Sequence, residues 1–500
     1  MEDMIVLYPS PGIGHLVSMV ELGKLILNHN PSFSISILIA TAPYNTGSTA
    51  PYISHVSATT PSITFHHLPT VSLPSNSSMD FIDLAFELPR LNNPNVLQAL
   101  QTISQKSRLK AFIIDFFCNA AFEVSTSLSI PTLYFFTSGA NDLAALLHFP
   151  TLHERTTTSI KDLNTYLEFP GTPSIHTRDM PEALLDRNSM AYGNFVDTAK
   201  QMAKSSGIIS NTFNSLEPRA IKAISDGLCI PNAPTPPVFC LGPLVATNNQ
   251  TGGGGGGGDE AECLTWLNSQ PSRSVVFLSF GSMGLFKAEQ LKDMAIGLEN
   301  SGHRFLWVVR SPPRADDEAK RVLAPPEPDL DALLPQGFLD RTKDRGLVVK
   351  SWAPQVAVLS HDSVGGFVTH CGWNSALEAV SAGVPMLAWP LYAEQRMNRV
   401  YLVEEMKVAL ALNELEDRFV SAAELEKRVR ELMDSESGKA VRETVIAMRD
   451  AAKAALGEGG SSTVALAELV ESWNKDGTIG LGSFSLRPTS LSSLFDGIKG

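Results

Sequence analysis

Ile5-Val6-Leu7-Tyr8 runs directly into the turn Pro9-Ser10-Pro11-Gly12-Ile13-Gly14-His15, and Leu16, Val20 and Leu27 then fall broadly on one face of a helix. The run SISILIA at 34–40 follows as a second strand. Strand, glycine-rich turn, helix and strand make a βαβ unit, and because parallel strands need such a crossover, the unit predicts a parallel sheet. Further out, AFIID at 111–115 and PTLYFFT at 131–137 read as strands, the first ending on the carboxylate of Asp115. Ligands of open α/β sheets bind beyond the carboxyl ends of the strands, which is where His15 and Asp115 fall.

The pattern breaks between Ala233 and Cys263, where Pro234, Pro236, Pro237 and Pro243 lead into seven glycines, Gly252 to Gly258. Seven glycines in a row hold one backbone conformation only at high entropic cost, so 246–262 is expected to be a flexible linker. No strand precedes the run and no Lys-Ser/Thr pair closes it, which excludes a phosphate-binding loop. Beyond it the βα alternation restarts. VVFLSF at 275–280 meets the turn Gly281-Ser282-Met283-Gly284, and a helix runs from Ala288 until Gly302 stops it. Strands follow at 305–309, 347–350, 366–370, 385–389 and 408–412. The expected fold is α/β, with two Rossmann-like parallel-sheet lobes, 1–245 and 263–455, facing across a cleft. Residues 311–336 read as a surface insert, 456–476 as a helix returning to the first lobe, and 477–500 as a poorly ordered tail.

Across the 500 residues, 39 Lys and Arg stand against 52 Asp and Glu, a net charge of −13. No local basic patch offsets it, so phosphate backbones are repelled and nucleic acid is not expected as a partner. Apolar residues make up 43% and mean hydropathy is near zero, which excludes a disordered chain, a coiled coil or a collagen repeat. No 18 consecutive residues are apolar, and acids stand where a secretory signal carries basic residues; a cytoplasmic chain without membrane insertion is expected. The five cysteines form neither a disulfide framework nor a zinc pattern. The Gly12-x-Gly14-His15 turn lacks the third glycine of the dinucleotide fingerprint, which disfavours a nicotinamide cofactor.

The densest polar cluster lies between Trp352 and Gln395. His370 ends a strand, and Gly372-Trp373-Asn374-Ser375 opens a helix whose free N–H groups and positive dipole end favour an anion. His370, Asn374 and Ser375 add side-chain donors there, which fits a diphosphate held without a metal. A plain helix cap is the other reading, since Ser375-x-x-Glu378 has capping-box spacing. In the first lobe, His15 near a helix N-terminus favours the neutral imidazole and hence a base, and Asp115 reads either as its partner or as a helix cap.

The 44 residues from Trp352 to Gln395 resemble the signature of plant family-1 UDP-sugar glycosyltransferases: WAPQ, a HCGWNS core, a downstream Glu and a terminal acidic-Gln pair. The PSPGIGH turn, the FGS turn after Phe280 and the overall length are similar as well. The resemblance implies the GT-B fold and UDP-glucose as donor; no cofactor or metal and a monomer are expected, and Asp329-Leu330-Asp331, a metal-binding D-x-D by spacing, reads as coincidence because it sits in the proline-rich surface insert. It further implies that Trp352 stacks on uracil, that Ala353 and Gln355 fix its edge and the ribose, and that Glu378 accepts from the ribose hydroxyls. His370, Asn374, Ser375 and Ser282 would hold the diphosphate. Glu394 and Gln395 would bind the sugar, with Thr137 and Trp373 nearby. His15 would be the general base and Asp115 its partner.

The stretches YPSPGIGHLVSMVELGKLIL and SATTPSITFHHLP look like the subgroup that glucosylates flavonoids and chalcones, which implies a phenolic acceptor, a dihydrochalcone such as phloretin foremost. Gly14, Phe117, Phe136 and Tyr392 are the candidate acceptor residues, and the three aromatics read equally as core. A C-linked transfer, or a UDP-sugar-binding protein without turnover, are the competing functions.

Overall fold

Continuous runs of Val, Ile, Leu and Phe, rather than alternation with polar residues, build the strands of this chain, because helices cover both faces of each sheet. The computed structural model describes residues 1–42, 49–73, 80–246, 257–313 and 326–474. Most of the glycine run, part of the 311–336 insert and the 477–500 tail lie outside the described residues.

The first lobe holds β1 (Glu2–Tyr8), β2 (Phe33–Ile39), β3 (Ile63–His67), β4 (Ser107–Asp115), β5 (Thr132–Phe136), a small antiparallel pair β6 (Tyr166–Leu167) and β7 (Ile175–His176), β8 (Gly207–Ser210) and β9 (Val238–Cys240). All but the small pair form one parallel sheet in the order β3-β2-β1-β4-β5-β8-β9. The second lobe holds β10 (Val275–Ser279), β11 (Arg304–Val309), β12 (Gly346–Lys350), β13 (Val364–Thr369), β14 (Met386–Ala388) and β15 (Ala409–Ala411). These form a parallel sheet ordered β12-β11-β10-β13-β14-β15. Alternate residues of a strand serve opposite faces. Ile5 and Leu7 of β1 pack under the helix Ile13–His29, while Val6 and Tyr8 pack with Leu143 and Leu147 of the helix Ala140–Arg155 on the other side.

Three strands of the first sheet, β3, β8 and β9, were not expected from the sequence. β9 lies inside the proline-rich stretch read as a break, and Leu241, Leu244 and Ala246 after it are buried, so the first lobe continues as far as Ala246. The second lobe begins with a helix at Gly257, ahead of the expected boundary at 263. The helix Ser461–Asn474 sets Leu466, Leu469, Val470 and Trp473 into the core of the first lobe. Trp473 meets Phe33 edge-on at 6.0 Å, and Ser462 Oγ donates to Gly242 O at 2.7 Å.

Candidate active site

β4 delivers Asp115 to the carboxyl edge of the first sheet, fully buried. Its Oδ2 lies 2.7 Å from His15 Nδ1, and its Oδ1 accepts the N–H of Phe117 at 3.0 Å. The two readings of Asp115 therefore coexist: one oxygen caps the short 3₁₀ turn Phe116–Cys118 and the other holds the imidazole. With Nδ1–H donated to the carboxylate, Nε2 is the basic nitrogen. His15 stands in the first turn of the helix Ile13–His29, which has no side-chain cap and no acid in that turn. The helix dipole was expected to keep the ring neutral. Burial pulls its pKa down, but the Asp115 carboxylate, with Glu394 behind it, outweighs burial and raises it above the usual 6.5.

In the second lobe the nucleotide and diphosphate candidates gather on the turns at the carboxyl ends of β10, β12 and β13. Ala353 is buried and Trp352 half-buried, just after Ser351, whose φ is +63°. Gln355 Nε2 donates to Ser375 Oγ at 2.8 Å and to Glu378 Oε2 at 2.7 Å. That bond lowers the Glu378 pKa, but burial dominates and raises it to about 7. The helix Trp373–Ala382 is capped by Gly372 with no side-chain bond, so the capping-box reading fails: Ser375 lies inside the helix and reaches Gln355 instead. The helix N-terminus keeps its free N–H groups.

His370 is buried, and its Nδ1 has no hydrogen-bond partner. Burial lowers its pKa to about 4, so it is neutral at pH 7. A Cβ on Gly281, where φ is +71°, would come within 2.6 Å of His370 Nε2, and one on Gly372 would collide with the same atom. The imidazole is held between two glycines. Ser282, next to it, is exposed.

Two of the sugar-side candidates, Glu394 and Gln395, stand on one turn. Gln395 Oε1 accepts the N–H groups of Leu391 at 2.9 Å and Tyr392 at 3.0 Å, which fixes the side chain on that turn. Glu394 heads the helix Gln395–Val400, and its pKa is raised by burial. Thr137, half-buried, follows β5. The indole of Trp373, expected near the sugar, takes part in the contact between lobes. Nε1 donates to Asn211 O at 2.7 Å, and a Cβ on Gly139 would be 2.7 Å from the ring. Asn374 also reaches across, its Nδ2 donating to Gly14 O at 3.3 Å and its Oδ1 accepting from Ser18 Oγ at 3.2 Å. Gly14, expected on the acceptor side, thus faces Asn374. These bonds fix the His15 turn against the proposed diphosphate turn.

A group of phenylalanines adjoins His15. Phe117 lies 5.8 Å and Phe116 6.4 Å from its ring, centroid to centroid. Phe86 lies 4.9 Å from Phe117 and Phe195 5.3 Å from Phe86. Phe136 is buried in the core, 5.4 Å behind Phe116, so it supports the wall rather than forming it. Tyr392 is 37% exposed on the other lobe, its ring 6.0 Å from His370.

Residues 257–449 match the family model for UDP-glucoronosyl and UDP-glucosyl transferase. Over 486 residues the chain is 56% identical to the anthocyanidin 5,3-O-glucosyltransferase of a Rosa hybrid cultivar, covering 95% of this chain and 99% of that protein. It belongs to the plant family-1 UDP-glycosyltransferases.

This UDP-glycosyltransferase is also 50% identical to phloretin 2′-O-glucosyltransferase of Pyrus communis, over 94% of this chain and 100% of that protein. Its fold is GT-B. It superposes on Phytolacca americana UGT2 complexed with UDP-2fluoro-glucose and pterostilbene with a TM-score of 0.84 and 39% identity, covering 95% of this chain and 100% of that one. Among the described residues of the glycosyltransferase, no helix is long and apolar enough to cross a membrane, and no group of three His, Cys, Asp or Glu is arranged to hold a metal ion. Asp329 of the D-x-D caps a one-turn helix, Leu330–Leu333, through the N–H of Ala332. Phe86, Phe116 and Phe195 were not singled out from the sequence. Phe116 had a signal in its neighbour Phe117; Phe86 and Phe195 lie on helices that only the tertiary fold brings together.

Proposed function

We propose that this glycosyltransferase transfers glucose from UDP-glucose, with inversion, to a phenolic hydroxyl of a flavonoid-type acceptor. A dihydrochalcone such as phloretin, at its 2′-hydroxyl, is the foremost candidate; the product is a β-O-glucoside and UDP. The observation that carries this is the His15–Asp115 pair opening onto phenylalanine side chains, a base set beside flat apolar walls. The named acceptors of its relatives, anthocyanidin and phloretin, are phenols of this kind.

A free phenol has a pKa of ~10 against ~6.5 for histidine, so complete proton removal before attack would cost roughly 5 kcal/mol. The proton instead moves to His15 Nε2 as the phenol oxygen attacks the anomeric carbon, and the C–O bond to the diphosphate breaks on the opposite face. Asp115 orients the ring and stabilises the imidazolium that forms. Trp352, Ala353, Gln355 and Glu378 hold the uridine. Ser282, His370, Asn374 and Ser375 hold the diphosphate as it gains charge, and Thr137, Glu394 and Gln395 hold the glucose, with the backbone of Trp373 beside it. A monomeric, cytoplasmic enzyme that needs no metal is part of the same proposal.

The deciding experiment incubates the purified chain with UDP-glucose, UDP-galactose or UDP-glucuronate, each against phloretin and a flavonoid panel, with and without a chelator. The expected result is a β-O-glucoside by NMR, formed with UDP-glucose and unaffected by chelation. A hydrolysis-stable product would mean C-transfer. Tight UDP binding without product would mean a sugar-nucleotide-binding protein.

A further inference from the structure

The diphosphate set of the proposed donor site contains no cation. His370 is neutral at pH 7, Asn374, Ser375 and Ser282 carry no charge, and the helix N-terminus at Gly372 supplies only a partial one. A sugar diphosphate is a dianion, and its leaving group becomes more negative as the anomeric bond breaks. Holding it in a partly desolvated turn with neutral donors alone is costly.

Arg310 stands at that turn. It follows the last residue of β11, half-buried at the carboxyl edge of the second sheet. Its Nη1 donates to the carbonyls of Ser282 and, at 3.4 Å, of Gly281. Phe280, Phe286 and Trp307 line a cavity together with Arg310 and Gly281, so the side chain rises past an apolar wall. Its Nε is buried without a hydrogen-bond partner. Two other cations of the lobe are paired: Arg396 with Glu414 at 2.8 Å and Lys350 with Glu327 at 2.8 Å. No ion pair joins Arg310 to a carboxylate among the described residues, and its charge acts on Tyr392 on the sugar-side turn.

We infer that Arg310 supplies the positive charge that the donor diphosphate meets at the Gly281–Ser282 turn, and that its bonds to the two carbonyls hold that turn under His370. Arg310 is a charge-supplying and positioning residue rather than a catalytic one, and the inference rests on the donor-site assignment above.

The test measures binding of UDP and of uridine, which lacks the phosphates, to the full chain, to Arg310→Met and to Arg310→Lys, with thermal unfolding as a control. Removing the charge should weaken UDP about tenfold or more, the size of one hydrogen bond to a charged group, and leave uridine within about twofold. Arg310→Lys should regain most of the loss, and added salt should weaken UDP more in the wild type than in Arg310→Met. Equal losses for UDP and uridine, an unchanged UDP affinity, or a lysine variant as weak as the methionine one would overturn the inference. Should Arg310→Met fail to fold, Arg310→Lys decides on the same two ligands, since the retained charge predicts near-normal UDP binding. A wild-type chain that binds neither ligand would instead overturn the donor-site assignment itself.

Discussion

His15 lies between carboxylates from opposite lobes, hydrogen-bonded to Asp115 at 2.7 Å and within electrostatic reach of Glu394. In the proposed reaction, the same charge that steadies the imidazolium after proton transfer also raises the pKa of the free imidazole beforehand. Neutral imidazole is the reacting form, so kcat/KM should rise with pH through a group titrating above 6.5 and then level off. Asp115→Asn removes the charge that lifts the pKa while burial still depresses it, so the rising limb should move to lower pH. The plateau should fall about a hundredfold or more with the loss of ring orientation and imidazolium stabilisation. A pH series of kcat/KM on the two proteins checks both. A limb that stays put in Asp115→Asn would mean that another group titrates.

The parallel strands that carry the site were legible as apolar runs, from Val275 and its neighbours in β10 to Phe367 and Val368 in β13, and so were the turns that follow them. What could not be read depended on partners. β8 is only Gly207-Ile208-Ile209-Ser210, and β9 follows two prolines, so neither looks like a strand until the sheet edge gives it hydrogen bonds. The contacts that Trp373 and Asn374 make with Asn211 and Gly14 join positions more than 150 residues apart, and no local pattern announces them. The helix Gln395–Val400 is of the same kind. Its Asn398 Nδ2 donates to Cys371 O at 3.0 Å, and Arg399 Nη2 donates across the lobe boundary to Asp179 Oδ1 at 2.6 Å. Asp179 is buried and Arg399 largely so, so Asp179→Asn leaves a poorly hydrated guanidinium without its counter-charge. The expected cost is about 2 kcal/mol of stability, below the full penalty of a completely buried pair. Because that helix carries Gln395 and begins after Glu394, the KM for UDP-glucose should rise several-fold while the kcat/KM pH profile stays that of the wild type. Thermal unfolding and donor kinetics test this; unchanged values for both would show that the pair does not anchor the helix.

At the scale of the whole molecule, the two sheets share packing. One continuous apolar cluster runs from Phe149, Tyr192 and Phe213 of the first lobe to Phe277, Phe367, Trp373 and Tyr401 of the second. The chain then crosses back: the helix Glu436–Leu456 sets Val445 and Ala452 into that shared cluster, and the helix Ser461–Asn474 sets Leu469 and Trp473 under the first sheet. The proposed reaction, with its base on one lobe and its donor on the other, needs this coupling, since an error of about 1 Å between them is enough to slow it. It also makes the lobes interdependent in stability. Leu469 is fully buried, and Leu469→Ala should cost about 3 kcal/mol through lost burial and the cavity left behind. The cavity lies in the first lobe, but the helix Ser461–Asn474 is tied to the second through its predecessor. Calorimetry of the variant should therefore show one cooperative transition, as in the wild type, shifted to lower temperature as a whole. A first-lobe transition splitting away while the second-lobe transition keeps the wild-type temperature would mean that the lobes fold as independent units.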